Sequence, residues 1–548
     1  MKAHKTPNSV QPYGKACLNC SRAKCKCVSR PGGAGCERCH RLAKLCTPGK
    51  NMRAANSRGG GTSSQFSQIE GKIDSLVSLL QARQGSAPTQ RSVSPDASQN
   101  ESRSSIPSFY SSDILNSSSL PPEESLAYFR ERMLKYFAFI HISEDAETLR
   151  SSRPFLFLCI MAVSSQSTKT KIALNKKVKE TVTYRMFLDN ETPVDIELLL
   201  GLLVFIVWGN DSLLHGMPTR VPRLMQLAVT LVFDLRLNKA PPEDSNMLPM
   251  GKDYLGPRTS IRSMEEMRAV LGCFLLSSMV SSYFGTTDPL QWTSTMDEYL
   301  EILSRSRESA YDELFAHQVR LQRIAGELES AKNTTEVPSS FYVSALQMKM
   351  ENIKAGISPP LLQNQILLSS IYYTDLILSG FLVSCAGSSE PQRLESMFNC
   401  LQTVKTSFDN IFTIYPTEYN ATSFVLFMQL ARSIVVLFKL SVLKDPAWDL
   451  SLVRRTVDLL EVMNRLIVQL SEARDILGDQ ARDGYLDRAI KIFTIVKSWS
   501  AAKFDEVGVG VIETQQAEQP AIDGMGIDNL WLMDQFFWNE NDLFSMNW

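Results

Sequence analysis

At 548 residues the chain is longer than one hydrophobic core usually organises, so two or more domains joined by linkers are expected. With 44% hydrophobic and 21% charged residues and a formal net charge of -1, the composition excludes a wholly disordered or collagen-like chain. The average hides a polarity, because residues 1–60 hold thirteen Lys or Arg against one acid, Glu37, while residues 504–548 hold nine Asp or Glu and no base.

The first end suits polyanions and the second repels them. The opening stretch MKAHKTPNSVQPYGK has no apolar segment of the secretory kind. The longest apolar run, residues 198–208, is about half the length of a bilayer-spanning helix. These features lead us to expect a soluble intracellular protein with no membrane partner and with its thiols reduced.

Seven of the eleven cysteines fall between Cys17 and Cys46. Six of them repeat one spacing, Cys17-x2-Cys20-x6-Cys27 and Cys36-x2-Cys39-x6-Cys46, across the loop VSRPGGAG. A structural zinc ion takes four ligands in a tetrahedron, so two ions need eight ligand positions. Six thiolates fill eight positions only if two of them bridge, and the internal symmetry assigns the bridges to the first cysteine of each half. One Zn(2+) then takes Cys17, Cys20, Cys27 and Cys36, and the other takes Cys36, Cys39, Cys46 and Cys17. A module this small has no apolar core, so metal binding supplies its folding energy. Arg22, Lys24 and Lys26 in one half and Arg38, Arg41 and Lys44 in the other surround the metal positions with positive charge. Cys25 and His40 are additional donors; either they are spectators, or they can replace Cys27 and Cys39.

Residues 47–65 read as a flexible linker built around Gly59, Gly60 and Gly61. In residues 66–84, Phe66, Ile69, Ile73, Leu76 and Leu80 recur at steps of three and four, which predicts a short coiled coil with Ile69, Ile73, Leu76 and Leu80 in the dimer seam. The alternative is a helix packed on the chain's own larger domain. Residues 85–120 are Ser-rich without apolar periodicity and are expected to be a disordered linker.

Residues 121–503 alternate helical periods with breakers and predict one large all-α domain. Helices are expected at 124–141, 196–208, 264–284, 361–384, 422–443, 451–470 and 485–502. Another lies over 394–412, with Leu394, Met397, Phe398, Leu401, Val404, Phe408 and Ile411 on one face. Pro154, Pro193, Pro222, Pro289, Pro359, Pro360 and Pro416 are expected between helices or at their starts. The single Cys159, Cys273, Cys385 and Cys400 read as core thiols. Residues 504–548 set Trp531, Phe536, Phe537, Trp538 and Phe544 among acids, which is the composition of a tail that offers aromatics to a transcription coactivator. A C-terminal helix docked on the helical domain is the alternative.

The half-motif CLNCSRAKCKC resembles the fungal binuclear zinc cluster (Zn2Cys6) transcription factors, whose pattern is C-x2-C-x3-K-x-K-C. The resemblance implies a nuclear homodimer that places each zinc module in the major groove of double-stranded DNA at CGG-type half-sites. It implies Lys24 for the base contact and Arg22, Lys26 and Arg41 for phosphates. It departs at Ala23, where a base is common, and at the extra Cys25. Residues 121–503 resemble the family's middle homology region, which implies a regulatory role. We expect a transcription activator that is pathway-specific for a secondary-metabolite gene cluster, with stress response or primary metabolism as the alternative. A reading of another class is a zinc-bearing interaction or sensor protein. An enzyme is not expected, because His4, His40, His141, His215 and His317 are scattered and no nucleophile or phosphate-loop motif is present.

Overall fold

A computed structural model describes residues 17, 19–20, 25, 27–28, 30 and 35–47, and residues 121–189, 193–210, 217–240, 262–306, 308–332, 340–384 and 389–506. The chain divides into two compact units, Met1–Arg103 and Ser104–Trp548. In the described part of the first, Asn19 and Cys20 are helical, a short helix α1 spans Glu37–Arg41, and isolated backbone bridges lie at Cys17, Val28 and Cys36. The coiled-coil positions Ile69, Ile73, Leu76 and Leu80, the linkers and the tail from residue 507 lie outside the described residues.

The second unit is all-α among the described residues. In order, its helices are α2 (Pro122–Tyr128), α3 (Ala146–Ser152), α4 (Pro154–Ser164), α5 (Thr168–Thr183), α6 (Ile196–Trp208), α7 (Met217–Asp234), α8 (Met264–Phe284) and α9 (Ser294–Arg305). There follow α10 (Asp312–Lys332), α11 (Ser340–Ala355), α12 (Gln365–Ser384), α13 (Glu390–Ile411), α14 (Phe424–Val442), α15 (Leu450–Thr456), α16 (Leu459–Leu477) and α17 (Tyr485–Glu506). Side-chain caps set many of the starts. Asp195 accepts from Leu198 N at α6, and Ser263 with Glu266 forms a reciprocal capping box at α8, which ends at left-handed Gly285.

Two hydrophobic cores fill this unit. The first gathers buried residues from Leu126 to Met428 and the second gathers residues from Leu376 to Phe504. Helix α6, apolar on every side, is buried from Leu198 to Trp208 and packs beside α4. Gly201 permits this approach, since a Cβ there would stand 2.6 Å from the Phe155 ring. Helices α12 and α14 feed both cores. The 3-10 turn Pro416–Ala421 straps them together: Glu418 accepts from Lys135 Nζ at 2.5 Å and Tyr136 OH at 3.1 Å, while Tyr419 OH donates to Gln469 Oε1 at 2.7 Å.

Several elements differ from the sequence reading. The helix expected over 451–470 is two helices, because Val457 is extended and Asp458 caps α16 through Leu460 N and Glu461 N. The helix expected over 124–141 leaves α-geometry at Phe129 for a π turn and a 3-10 turn, and the chain is extended from Phe137. Pro222 sits inside α7, not at its start. Phe398 is 45% exposed, since it is one residue, or about 100°, off the Met397–Leu401–Val404–Phe408 stripe. Helix α17 carries the helical region three residues past Lys503, and Phe504 is buried against Phe438.

Three helices, α8, α12 and α14, have windows long and apolar enough to cross a membrane, which a count of unbroken apolar residues misses. Those windows are 83%, 67% and 78% buried against the rest of the unit, so their apolar surface is spent in the cores. Cys159, Cys273 and Cys400 are buried as core thiols, and Cys385 lies outside the described residues.

Candidate metal centre

The cysteine repeat of the first unit folds into one sulfur cluster. Cys17, Cys20, Cys27 and Cys36 form one set of four whose sulfurs lie within 4.8 Å of one another, and Cys17, Cys36, Cys39 and Cys46 form a second. The two sets share Cys17 and Cys36. Neighbouring sulfurs are 3.7 Å apart for Cys17 and Cys36, 3.6 Å for Cys17 and Cys39, and 3.6 Å for Cys20 and Cys36. Cys17, Cys20, Cys27, Cys36 and Cys39 are buried, with Cys46 partly so. Each set of four thiols can hold one metal ion.

The local backbone explains the convergence. Cys36 is the N-cap of α1 and its sulfur accepts from Cys39 N at 3.4 Å, so the x2 spacing puts both thiols over the first turn. Glu37 N donates to Val28 O at 3.0 Å, tying the second half to the first. Ala43, at φ 49°, turns the chain after α1 and brings Cys46 back, where its sulfur accepts from Cys36 N at 3.2 Å. Asn19 Nδ2 donates to Leu45 O at 2.9 Å and to Cys39 Sγ at 3.7 Å, clamping the first half on the second. Nothing in the spacing of the cysteines announces Asn19; its place inside the first C-x2-C is the signal available.

The thiols differ in acidity. The Cys39 N–H aimed at its sulfur outweighs burial and, with neighbouring thiols, holds Cys36 down at about 6. Burial, then the facing Cys17 and Cys36, drives Cys20 far up.

Cys25 belongs to neither set; its thiol points to Cys20 O at 3.7 Å. His40 is exposed and also belongs to neither. Arg41 lies exposed in the last turn of α1, and Arg38 reaches Asn19 O at 3.5 Å. Arg22, Lys24 and Lys26 lie outside the described residues, as do Trp531, Phe536, Phe537, Trp538 and Phe544.

The curated proteins to which this chain is similar are named transcription factors. The chain is 32% identical to the transcription factor opdL of Penicillium oxalicum over 556 aligned residues, spanning 95% of this chain and 96% of that one. It is 26% identical to a transcription factor of Aspergillus terreus, over 90% of this chain and 88% of that one. It is 27% identical to the transcription factor himD of Aspergillus japonicus, over 59% and 54%. Residues 416–548 match the family model ATEG07667_C, a C-terminal domain. The chain belongs to this family of fungal transcription factors, and it is not an enzyme.

Proposed function

We propose that this protein is a nuclear, sequence-specific transcription activator of the Zn2Cys6 type, which binds CGG-type half-sites in double-stranded DNA as a homodimer. The observation that carries the reading is the pair of four-sulfur sets sharing Cys17 and Cys36. At a Zn–S distance of about 2.3 Å the edge of a ZnS4 tetrahedron is about 3.8 Å. The sulfur separations of 3.6–3.7 Å fit that edge. Two Zn(2+) ions bridged by Cys17 and Cys36, with Cys20, Cys27, Cys39 and Cys46 as the remaining ligands, satisfy both shells with six thiolates.

The ions fix the fold of the head, and this chain's bases do the recognition. Arg41, exposed beside the cluster, supports a phosphate contact, and the basic charge of residues 1–60 supports affinity for a polyanion. In this scheme Lys24 reads guanine edges, and Arg22 and Lys26 join Arg41 on phosphates. Residues 66–84 dimerise through Ile69, Ile73, Leu76 and Leu80, residues 121–503 regulate, and the acidic-aromatic tail recruits coactivators. Its targets belong to a secondary-metabolite biosynthetic cluster.

Selection of random duplex DNA by the zinc-loaded chain tests the reading. Enrichment of paired CGG-type triplets at one spacing is the expected result, and those sites then identify the genes controlled. Enrichment of no sequence would move the head to the class of protein-binding zinc modules.

A further inference from the structure

The first core encloses a polar chamber where α8, α10, α12 and α14 meet. Gln318 of α10 is 2% exposed, yet neither its Nε2 nor its Oε1 has a hydrogen-bond partner among the described residues. Its polar neighbours on the chamber wall are Gln322, Ser370, Thr374 and Gln429, closed over by apolar Leu275 and Val425. The space they border measures about 10 Å³.

Hydrogen bonds within the wall decide which groups remain to be used. Gln322 Nε2 donates to Ser278 Oγ at 2.9 Å, and Gln429 Nε2 donates to Ser370 Oγ at 3.1 Å. Ser370 Oγ donates in turn to Ile366 O at 3.1 Å, and Thr374 Oγ1 donates to Ser370 O at 3.0 Å. The Oε1 atoms of Gln322 and Gln429 are left to accept, beside an amide that can both donate and accept. A buried amide without partners bears the full cost of its lost hydration, which folded proteins meet with a protein group or an ordered water. Size and charge then select the occupant. An internal water needs about 10–15 Å³ and two to four polar partners, whereas an organic molecule needs far more room. An ion would be buried without a counter-charge, since no charged side chain is among the lining residues.

We propose that this chamber binds one structural water molecule, which satisfies the Gln318 amide and links α10 to the polar groups of α12 and α14. Every residue bordering the space is buried, so the water exchanges with solvent only as the helices part. It belongs to the helical unit and is independent of what the N-terminal head binds.

Oxygen-17 magnetic relaxation dispersion of water counts long-lived internal waters in the full-length chain, with no DNA present. Gln318→Met and Gln318→Leu remove the amide from α10, and each is expected to hold one long-lived water fewer than wild type. A cooperative melt checks that each variant is folded. A high-resolution crystal structure of the wild-type chain needs no variant, and is expected to place a water oxygen at hydrogen-bonding distance from Gln318 and from a second wall group. An unchanged water count in the folded variants overturns the proposal. So does a crystal structure in which the Gln318 amide bonds protein groups directly, or in which the chamber is dry or holds an ion.

Discussion

Gly35 stands against Cys46 so closely that a Cβ on the glycine would lie 2.9 Å from the Cys46 Cβ and 3.4 Å from its sulfur. At φ 112° the glycine also holds a backbone conformation that L-residues avoid. Gly35→Ala therefore strikes the cluster twice without removing a ligand. Titration against a zinc indicator is expected to give one weakened ion per chain and at least a tenfold loss of DNA affinity. Gly380→Ala, where an added Cβ meets nothing within 4 Å in α12, is expected to leave both unchanged and to raise stability by about 0.5–1 kcal/mol.

Cys25 and Cys27 are two residues apart and differ in placement: Cys27 is in a four-sulfur set, and Cys25 points to a backbone carbonyl. Cys25→Ser is expected to keep two zinc ions per chain by elemental analysis and to keep DNA binding. Cys27→Ser loses both. Equal damage from the two substitutions would reassign the ligand.

Arg268 Nε donates to Asp312 Oδ1 at 2.8 Å, with both residues 1% exposed, and Glu308 supports the same guanidinium at 2.8 Å. Removing one partner of a buried pair leaves a charge without compensation, softened here by Glu308; Asp312→Asn is expected to cost about 2 kcal/mol by chemical denaturation. Burial works to raise the Asp312 carboxyl, but the Arg268 bonds prevail and hold it below the usual carboxylate range. A lowered folded value means that the stabilisation is complete above the unfolded pKa, about 3.9, and fades as pH falls through the folded one. The gap between wild type and Asp312→Asn should accordingly be constant from pH 7 to 5 and shrink below about pH 4.

The proposed seam of residues 66–84 has its own test. Ile73→Asp or Leu76→Asp is expected to shift the DNA-bound complex from two chains to one by native mass measurement. An unchanged stoichiometry would place the segment on its own chain instead.

Much of this architecture is legible in the amino-acid sequence. The Cys17 to Cys46 spacing carries the shared-thiol arithmetic because ligand number is discrete: six donors for eight positions require two shared thiols, and symmetry between the halves narrows the pair to three, of which the structure puts Cys17 and Cys36 in both sets. Dense apolar content likewise marks α6, α8 and α14. What escapes it depends on single backbone events. Asp458 competes for the α16 N-terminus and so splits a continuous apolar pattern at Val457, and Pro222 is carried inside α7. The Asn19 clamp leaves no periodic trace either, because it joins residues distant in the chain.

Helix α14 gives Phe424, Val425, Leu426 and Met428 to one core, and Ile434, Val435, Leu437, Phe438 and Leu440 to the other. A fragment beginning at Pro416 would keep the helix but strip the partners from its first two turns, leaving a sticky apolar end. The helical unit is thus not divisible at that point. Residues 121–506 should melt in one cooperative transition, and a disturbance that loosens either core is felt at once by the other through a single rigid rod.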